Sequence, residues 1–371
     1  MRTPSARHAS LIAAAMAATA MPGSTTPSRV DPSATSFAEL LDLTPATSFA
    51  DDNAVLWYVD MDLVWNRLGV GDSVDERAGA LGQAAAPETF SFLPQLFHQQ
   101  ADVDGARAEV GFSAFEVHRE LAVLSPPTAL FIDDTSVSAD VVAAAIESNP
   151  DWSDQVSSVK SEHGPYYSWG DGAETDLQRT STFRRLGQAG QFAVIGGDDV
   201  ITVRTLDEGD MDTALTALDG AGETADDVGP FAMVDEALTG DVIQILGVPR
   251  PTTFVPPPTA SPEVVEQLLE EATFLNPYVG LIVAEVVEDG AVRTEVLVIN
   301  LDETGAAANT ELVATMIASG DDPLTGAPLA ESFPDATVTA DGVFVRITMD
   351  GTGHFGVPYR MLASAALFPV P

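Results

Sequence analysis

Phe192-Ala193-Val194-Ile195-Gly196-Gly197-Asp198-Asp199-Val200-Ile201-Thr202-Val203 holds two short apolar, β-branched runs on either side of a Gly-Gly-Asp-Asp turn. That pattern predicts an antiparallel hairpin. Leu206-Asp207-Glu208-Gly209 follows, and Met211, Ala214, Leu215 and Leu218 then recur at helical spacing before Gly220. A hairpin running into a helix with one apolar face needs a sheet to be packed upon, so the class expected is α+β.

The last hundred residues repeat the theme. Val279 to Val287 and Arg293 to Leu301 read as strands joined through Asp289-Gly290, a hairpin turn signal. A helix follows with Leu312, Val313, Met316 and Ile317 inward and Gly320 as its stop, and then a second hairpin through Asp341-Gly342. Val200-Ile201-Thr202-Val203-Arg204 before Leu206-Asp207-Glu208-Gly209 parallels Val296-Leu297-Val298-Ile299-Asn300 before Leu301-Asp302-Glu303-Thr304-Gly305. The expectation is two related lobes, each an antiparallel sheet of hairpin–helix units covered by helices. The plainer alternative is that hairpin-then-helix is a common unit and acidic helix starts suit the helix dipole.

Working outward, Ser36-Phe37-Ala38-Glu39 fits a capping box, Val55 to Val59 and Ala129 to Ile132 read as strands, and Asp140 to Ser148 reads as a helix stopped at Asn149-Pro150. The stretch from about residue 70 to 125 has poor periodicity and receives no assignment. Six prolines between Pro249 and Pro262 mark a stiff linker, and Ser261-Pro262 opens a helix striped by Val264, Val265, Leu268 and Leu269. The organisation expected is a signal peptide over 1–20, a flexible leader over 21–35, an N-terminal α+β domain over 36–248, a linker over 249–262 and a C-terminal α+β domain over 263–371.

The signal peptide rests on a basic start at Arg2, Arg7 and His8, an apolar run from Leu11, and Ala18-Thr19-Ala20 as the peptidase site. The run is too short to span a bilayer, and the C-terminal run Met361 to Val370, broken by Pro369, is not a membrane tail. The expected address is secreted or extracytoplasmic after cleavage near Ala20. The 56 Asp and Glu against 16 Lys and Arg give a net charge of −40, and cleavage after Ala20 removes Arg2 and Arg7 to leave −42. A mean hydropathy of +0.12 nonetheless supports a folded core, with the acid outside. Lys160 is the only lysine. So acidic a balance fits a saline medium, and it repels nucleic acid and anionic lipid. The chain has no cysteine, so it has no disulfide, no thiol chemistry and no lipid-anchor cysteine.

No motif carries chemistry. The acid pairs Asp51-Asp52, Asp60 with Asp62, Asp133-Asp134, Asp198-Asp199, Asp226-Asp227 and Asp321-Asp322 read as solvated acid. Asp102-Val103-Asp104-Gly105 starts like a calcium loop but has no closing ligand at EF-hand spacing. His98, His118, His163 and His354 are scattered, with no H-E-x-x-H. Gly111-Phe112-Ser113-Ala114-Phe115 misses the nucleophile elbow at its last position. No catalytic, cofactor-binding or metal residue is named, and no cofactor is expected. Tyr166-Tyr167-Ser168-Trp169 reads as a strand with Tyr167 and Trp169 inward, rather than as a stacking platform.

Ala129 to Ile132, the following helix, Gly164-Pro165-Tyr166-Tyr167-Ser168-Trp169-Gly170-Asp171, Phe192 to Ile195, and the Gly320 to Pro334 stretch with Thr325-Gly326 and Phe333-Pro334 together resemble a group of uncharacterised exported proteins of high-GC bacteria. The resemblance covers roughly residues 110 to 350. Members are often lipoproteins, whereas this chain lacks the cysteine. It implies a strand-helix-strand unit followed by a hairpin and helix, no enzyme activity and no site residues. The reading that results is a non-enzymatic envelope or secreted protein that binds a ligand or partner. Its rival is an extracytoplasmic hydrolase whose site is assembled from residues distant in sequence.

Overall fold

In the computed structural model of the chain, the described residues are 36–51, 53–83, 94–96, 102–126, 128–150, 156–170, 174–184, 187–196, 200–252, 261, 263, 266, 274–322, 325–351, 353–364 and 367–370. The expected signal peptide and leader lie outside them, as do most of the Pro-rich stretch and the helix expected after it. The class is α+β with antiparallel sheet. The chain forms two compact units, Met1–Asp235 and Glu236–Pro371.

The strands of the first unit are β1 (Val55–Asp60), β2 (Val117–Ser125), β3 (Thr128–Thr135), β4 (Ser157–Ser161), β5 (Gly164–Ser168), β6 (Gln191–Gly196) and β7 (Val200–Thr205). Their order is β1-β2-β3-β7-β6-β5-β4, and each neighbouring pair is antiparallel. The opening hairpin is β6–β7, closed in register at Gly196↔Val200. Helices α1 (Ser36–Asp42), α2 (Met61–Leu68), α3 (Val74–Gln83), α4 (Val103–Val110), α5 (Ala139–Ser148) and α6 (Glu208–Leu218) accompany the sheet.

Both faces of this sheet are covered. On one, Ala122, Phe131 and Phe192 join Val110 of α4, Val142 and Ile146 of α5, and Trp169 in a single apolar cluster. On the other, α1 packs against β2 and α6 against β6 and β7, with Phe37 edge-on to Tyr58 at 5.2 Å. Strands buried on two sides lose the polar half of their alternation. Leu130, Phe131 and Ile132 are accordingly all buried although they point to opposite faces. Tyr166, which alternation turns to the face opposite Trp169, is buried as well.

The second unit contains β8 (Asp241–Val248), β9 (Gly280–Glu288), β10 (Ala291–Ile299), β11 (Thr337–Asp341) and β12 (Phe344–Asp350), with α7 (Glu303–Ser319) and α8 (Gly356–Ala363). Its strand order is β11-β12-β10-β9-β8, again antiparallel. The β9–β10 turn has Asp289 at φ 52° and Gly290 at φ 78°, the two left-handed residues such a hairpin needs. Because β8 pairs with β9, the Pro-rich stretch connects two neighbouring strands of one sheet. Asp302 caps α7 through the Gly305 N–H at 2.7 Å, and Ala306, Asn309, Val313 and Ile317 form its buried stripe. No described helix is long and apolar enough to cross a membrane.

Candidate functional site

The described surface carries one concentration of polar side chains around a histidine, where β1, α2, α3 and β2 meet. Asp60 ends β1 and caps α2, accepting the Leu63 N–H at 2.9 Å. Capping starts the helix at Met61 and places Asp62 in its first turn, where a carboxylate also suits the dipole. Asp62 Oδ2 lies 2.7 Å from His118 Nδ1. His118 occupies a bulge in β2: the register with β3 jumps from Val117↔Thr135 to Arg119↔Asp134, leaving His118 outside the β2–β3 ladder. Bulges re-aim a side chain, and here the imidazole is turned toward α2.

Arg77 of α3 completes the group. Its Nη2 is 3.6 Å from Asp62 Oδ1 and 3.4 Å from Asp72 Oδ1. Nη1 donates to the Phe115 carbonyl at 2.7 Å, and the guanidinium lies 5.7 Å from the Trp65 ring centre. Arg77 is only 5% exposed. Asp62 and His118 stay reachable, with side chains 46% and 31% exposed. Donating its Nδ1–H to the Asp62 carboxylate raises the His118 pKa; burial pulls it down, the charges of Asp62 and Asp134 reinforce the rise, and the Arg77 charge opposes it. Arg119, the next residue, points to the opposite face and is bound by Asp134 and Glu39.

Arg77 Nε donates to the Gly71 carbonyl at 3.4 Å. Gly71 belongs to an open depression of about 470 Å³ lined by Gly69, Val70, Gly71, Asp75, Glu76, Gly79 and Ala80. Glycine and alanine walls admit a close approach, and two carboxylates favour a cationic group. An imidazole paired with a carboxylate can present an N–H or exchange a proton.

The residues singled out in the sequence have other tasks. Asp102 caps α4 through the Gly105 N–H at 3.0 Å and accepts from Thr182 Oγ1 at 2.7 Å. Ser113 is buried in a capping box with Glu116, its Oγ 3.1 Å from Glu116 Oε2. His163 lies 3.1 Å from Asp219 Oδ2. His98, Asp52 and the Asp198-Asp199 pair lie outside the described residues. No group of three metal-ligating side chains occurs among the described residues. The Asp62–His118–Arg77 group escaped sequence reading because Asp62 and His118 are 56 residues apart. Its only local signal is the polar run His118-Arg119-Glu120 inside an otherwise apolar strand.

No family model matches the chain, and no curated protein matches it. Among solved structures, crystal form I of TP0453 is similar at 10% identity over 91% of this chain and 98% of that one, with a TM-score of 0.37. Crystal form IV of TP0453 is similar at 9% identity over 90% of this chain and 100% of that one, with a TM-score of 0.39. Likeness at that level carries no inference about this chain's role.

Proposed function

We propose that the protein is an exported, non-enzymatic binding protein whose contact surface is the α2–α3–β2 corner, and that the group it receives is cationic. The observation that carries this reading is the open, Gly- and Ala-walled depression with Asp75 and Glu76 in its lining, tied through Arg77 to the half-exposed Asp62–His118 pair. An open surface favours a partner that lies on it, whereas catalysis favours a pocket that excludes water. The hydrolase reading is kept alive by the Asp62–His118 pair alone, which has the geometry of a base and its orienter. Chromogenic ester and peptide turnover, measured beside calorimetric binding of an arginine-rich peptide, separates the two. Binding without turnover is the expected outcome. Turnover that disappears in His118→Ala would replace the binding reading with the hydrolase.

We also propose that the two units are related copies, and that the chain belongs with the exported proteins of high-GC bacteria it resembles. Strand order supports the first statement: β1-β2-β3-β7-β6 in one unit parallels β8-β9-β10-β12-β11 in the other. In both, a hairpin feeds a helix, and a later hairpin returns to lie beside the first. This frame sets β2-β3-α5 against β9-β10-α7, whereas the likeness of residues 200–209 to 296–305 sets β6-β7-α6 there. The basic start, apolar run and small-residue site at 1–20 support export, and the charge of −40 supports a saline habitat.

A further inference from the structure

Glu120 on β2 and Asp133 on β3 stand directly opposite one another in the ladder, 2% and 0% exposed. Glu120 accepts the backbone N–H of Gln95 and, at 2.8 Å, that of Leu96. Two carboxyls so placed and so buried cannot both ionise without large repulsion. Burial, and for Asp133 the Glu120 charge, push both well above the usual carboxylate range. Among the described residues, Thr202 and Arg204 of β7 also act on the pair. Thr202 Oγ1 of β7 lies 3.5 Å from Asp133 Oδ2. Arg204 of β7, sandwiched near Phe183 and Phe131, makes no ion pair with either carboxyl among the described residues and instead donates to the Leu96 carbonyl at 3.3 Å. Arg184, Asp133 and Glu109 act on Arg204 through charge, and the Arg204 charge in turn pulls the Asp133 pKa down against the burial and the Glu120 charge that raise it. Asp133 Oδ1 is buried without a partner among the described residues. Leu96 is therefore held at its N–H by Glu120, at its carbonyl by Arg204, and by its side chain in the apolar cluster.

We propose that Glu120 and Asp133 form a proton-gated clasp that holds residues 95–96 on the sheet of the first unit, shut while the pair retains a proton and loosened when both carboxyls ionise. In the shut state Asp133 donates its proton to Glu120, which leaves the Glu120 oxygens as acceptors for the two backbone N–H groups. On opening, both carboxyls meet water and the shared proton passes to solvent. Each proton released makes the opening constant rise tenfold per pH unit, in the interval between the ordinary carboxylate pKa and the raised values of the pair.

The test is amide hydrogen exchange at Gln95 and Leu96 on the full chain from pH 5 to 8, corrected for the intrinsic base-catalysed rate. Ile132 in mid-strand serves as the reporter of global opening. Protection at Leu96 should fall with rising pH, about tenfold per pH unit for each proton the shut pair holds, and stay below that of Ile132. Glu120→Gln and Asp133→Asn each leave one buried carboxyl accepting from an amide in place of a proton-sharing pair, so both variants should show a shallower slope than the wild-type protein. Leu96 protection that is flat with pH in the wild-type protein overturns the clasp, as does a Glu120→Gln variant that keeps the wild-type slope. Should a variant fail to fold, infrared spectroscopy of the wild-type protein decides. A protonated carboxyl band that fades over the same pH interval supports the clasp, and its absence at pH 5 overturns it.

Discussion

Trp169 shows how a residue that looks like a ligand platform serves the core instead. It is 4% exposed, its Nε1 donates to the Gln188 carbonyl at 3.1 Å, and its ring lies 5.8 Å from Phe183. Truncating such a residue removes its buried area and leaves a cavity, at a cost of roughly 3–5 kcal/mol. Leu177, 71% exposed, is the comparison. Denaturant unfolding should place Trp169→Ala about 3 kcal/mol or more below the parent and Leu177→Ala within ~0.5 kcal/mol of it. Equal midpoints for the two variants would mean that Trp169 does not support the core.

At the scale of elements, the hairpins were legible and β2 was not. Asp289-Gly290 and Asp341-Gly342 announce their turns because few other residues tolerate positive φ, and β9–β10 and β11–β12 duly flank them. Strand β2 broke the reading at His118-Arg119-Glu120, three polar residues where a buried strand is expected to be apolar. Each is satisfied only by a distant partner: His118 by Asp62, Arg119 by Asp134 and Glu39, Glu120 by the backbone of 95–96. Two of the residues that hid the strand, His118 and Glu120, thus belong to the candidate site and the proposed clasp. Helix starts were easier to read, since a cap is local. Asp302→Ala removes the acceptor for the Gly305 N–H and should cost about 1 kcal/mol in the same unfolding measurement. A loss under ~0.3 kcal/mol would show that the rest of the first turn holds α7 without the cap.

For the whole molecule, charge dominates. An excess of forty carboxylates on a folded chain is self-repulsion that salt screens, with a Debye length of about 10 Å at 0.1 M and roughly 3 Å at 1 M. Raising sodium chloride from 0.1 to 2 M should therefore lift the melting midpoint by several degrees, and a flat or falling midpoint would count against adaptation to salt. The same charge attracts any basic peptide to the whole surface, so binding alone does not locate a site. The direct test of the α2–α3–β2 face is calorimetry at 0.3 M sodium chloride, comparing two double variants of equal charge. Asp75→Asn with Glu76→Gln alters the depression, whereas Glu311→Gln with Glu331→Gln removes two exposed carboxylates from the second unit. If the face is the contact surface, the first pair weakens binding of the arginine-rich peptide at least tenfold and the second leaves it within twofold. Equal weakening by both pairs would contradict the account, because the peptide would then be reading net charge and not this face.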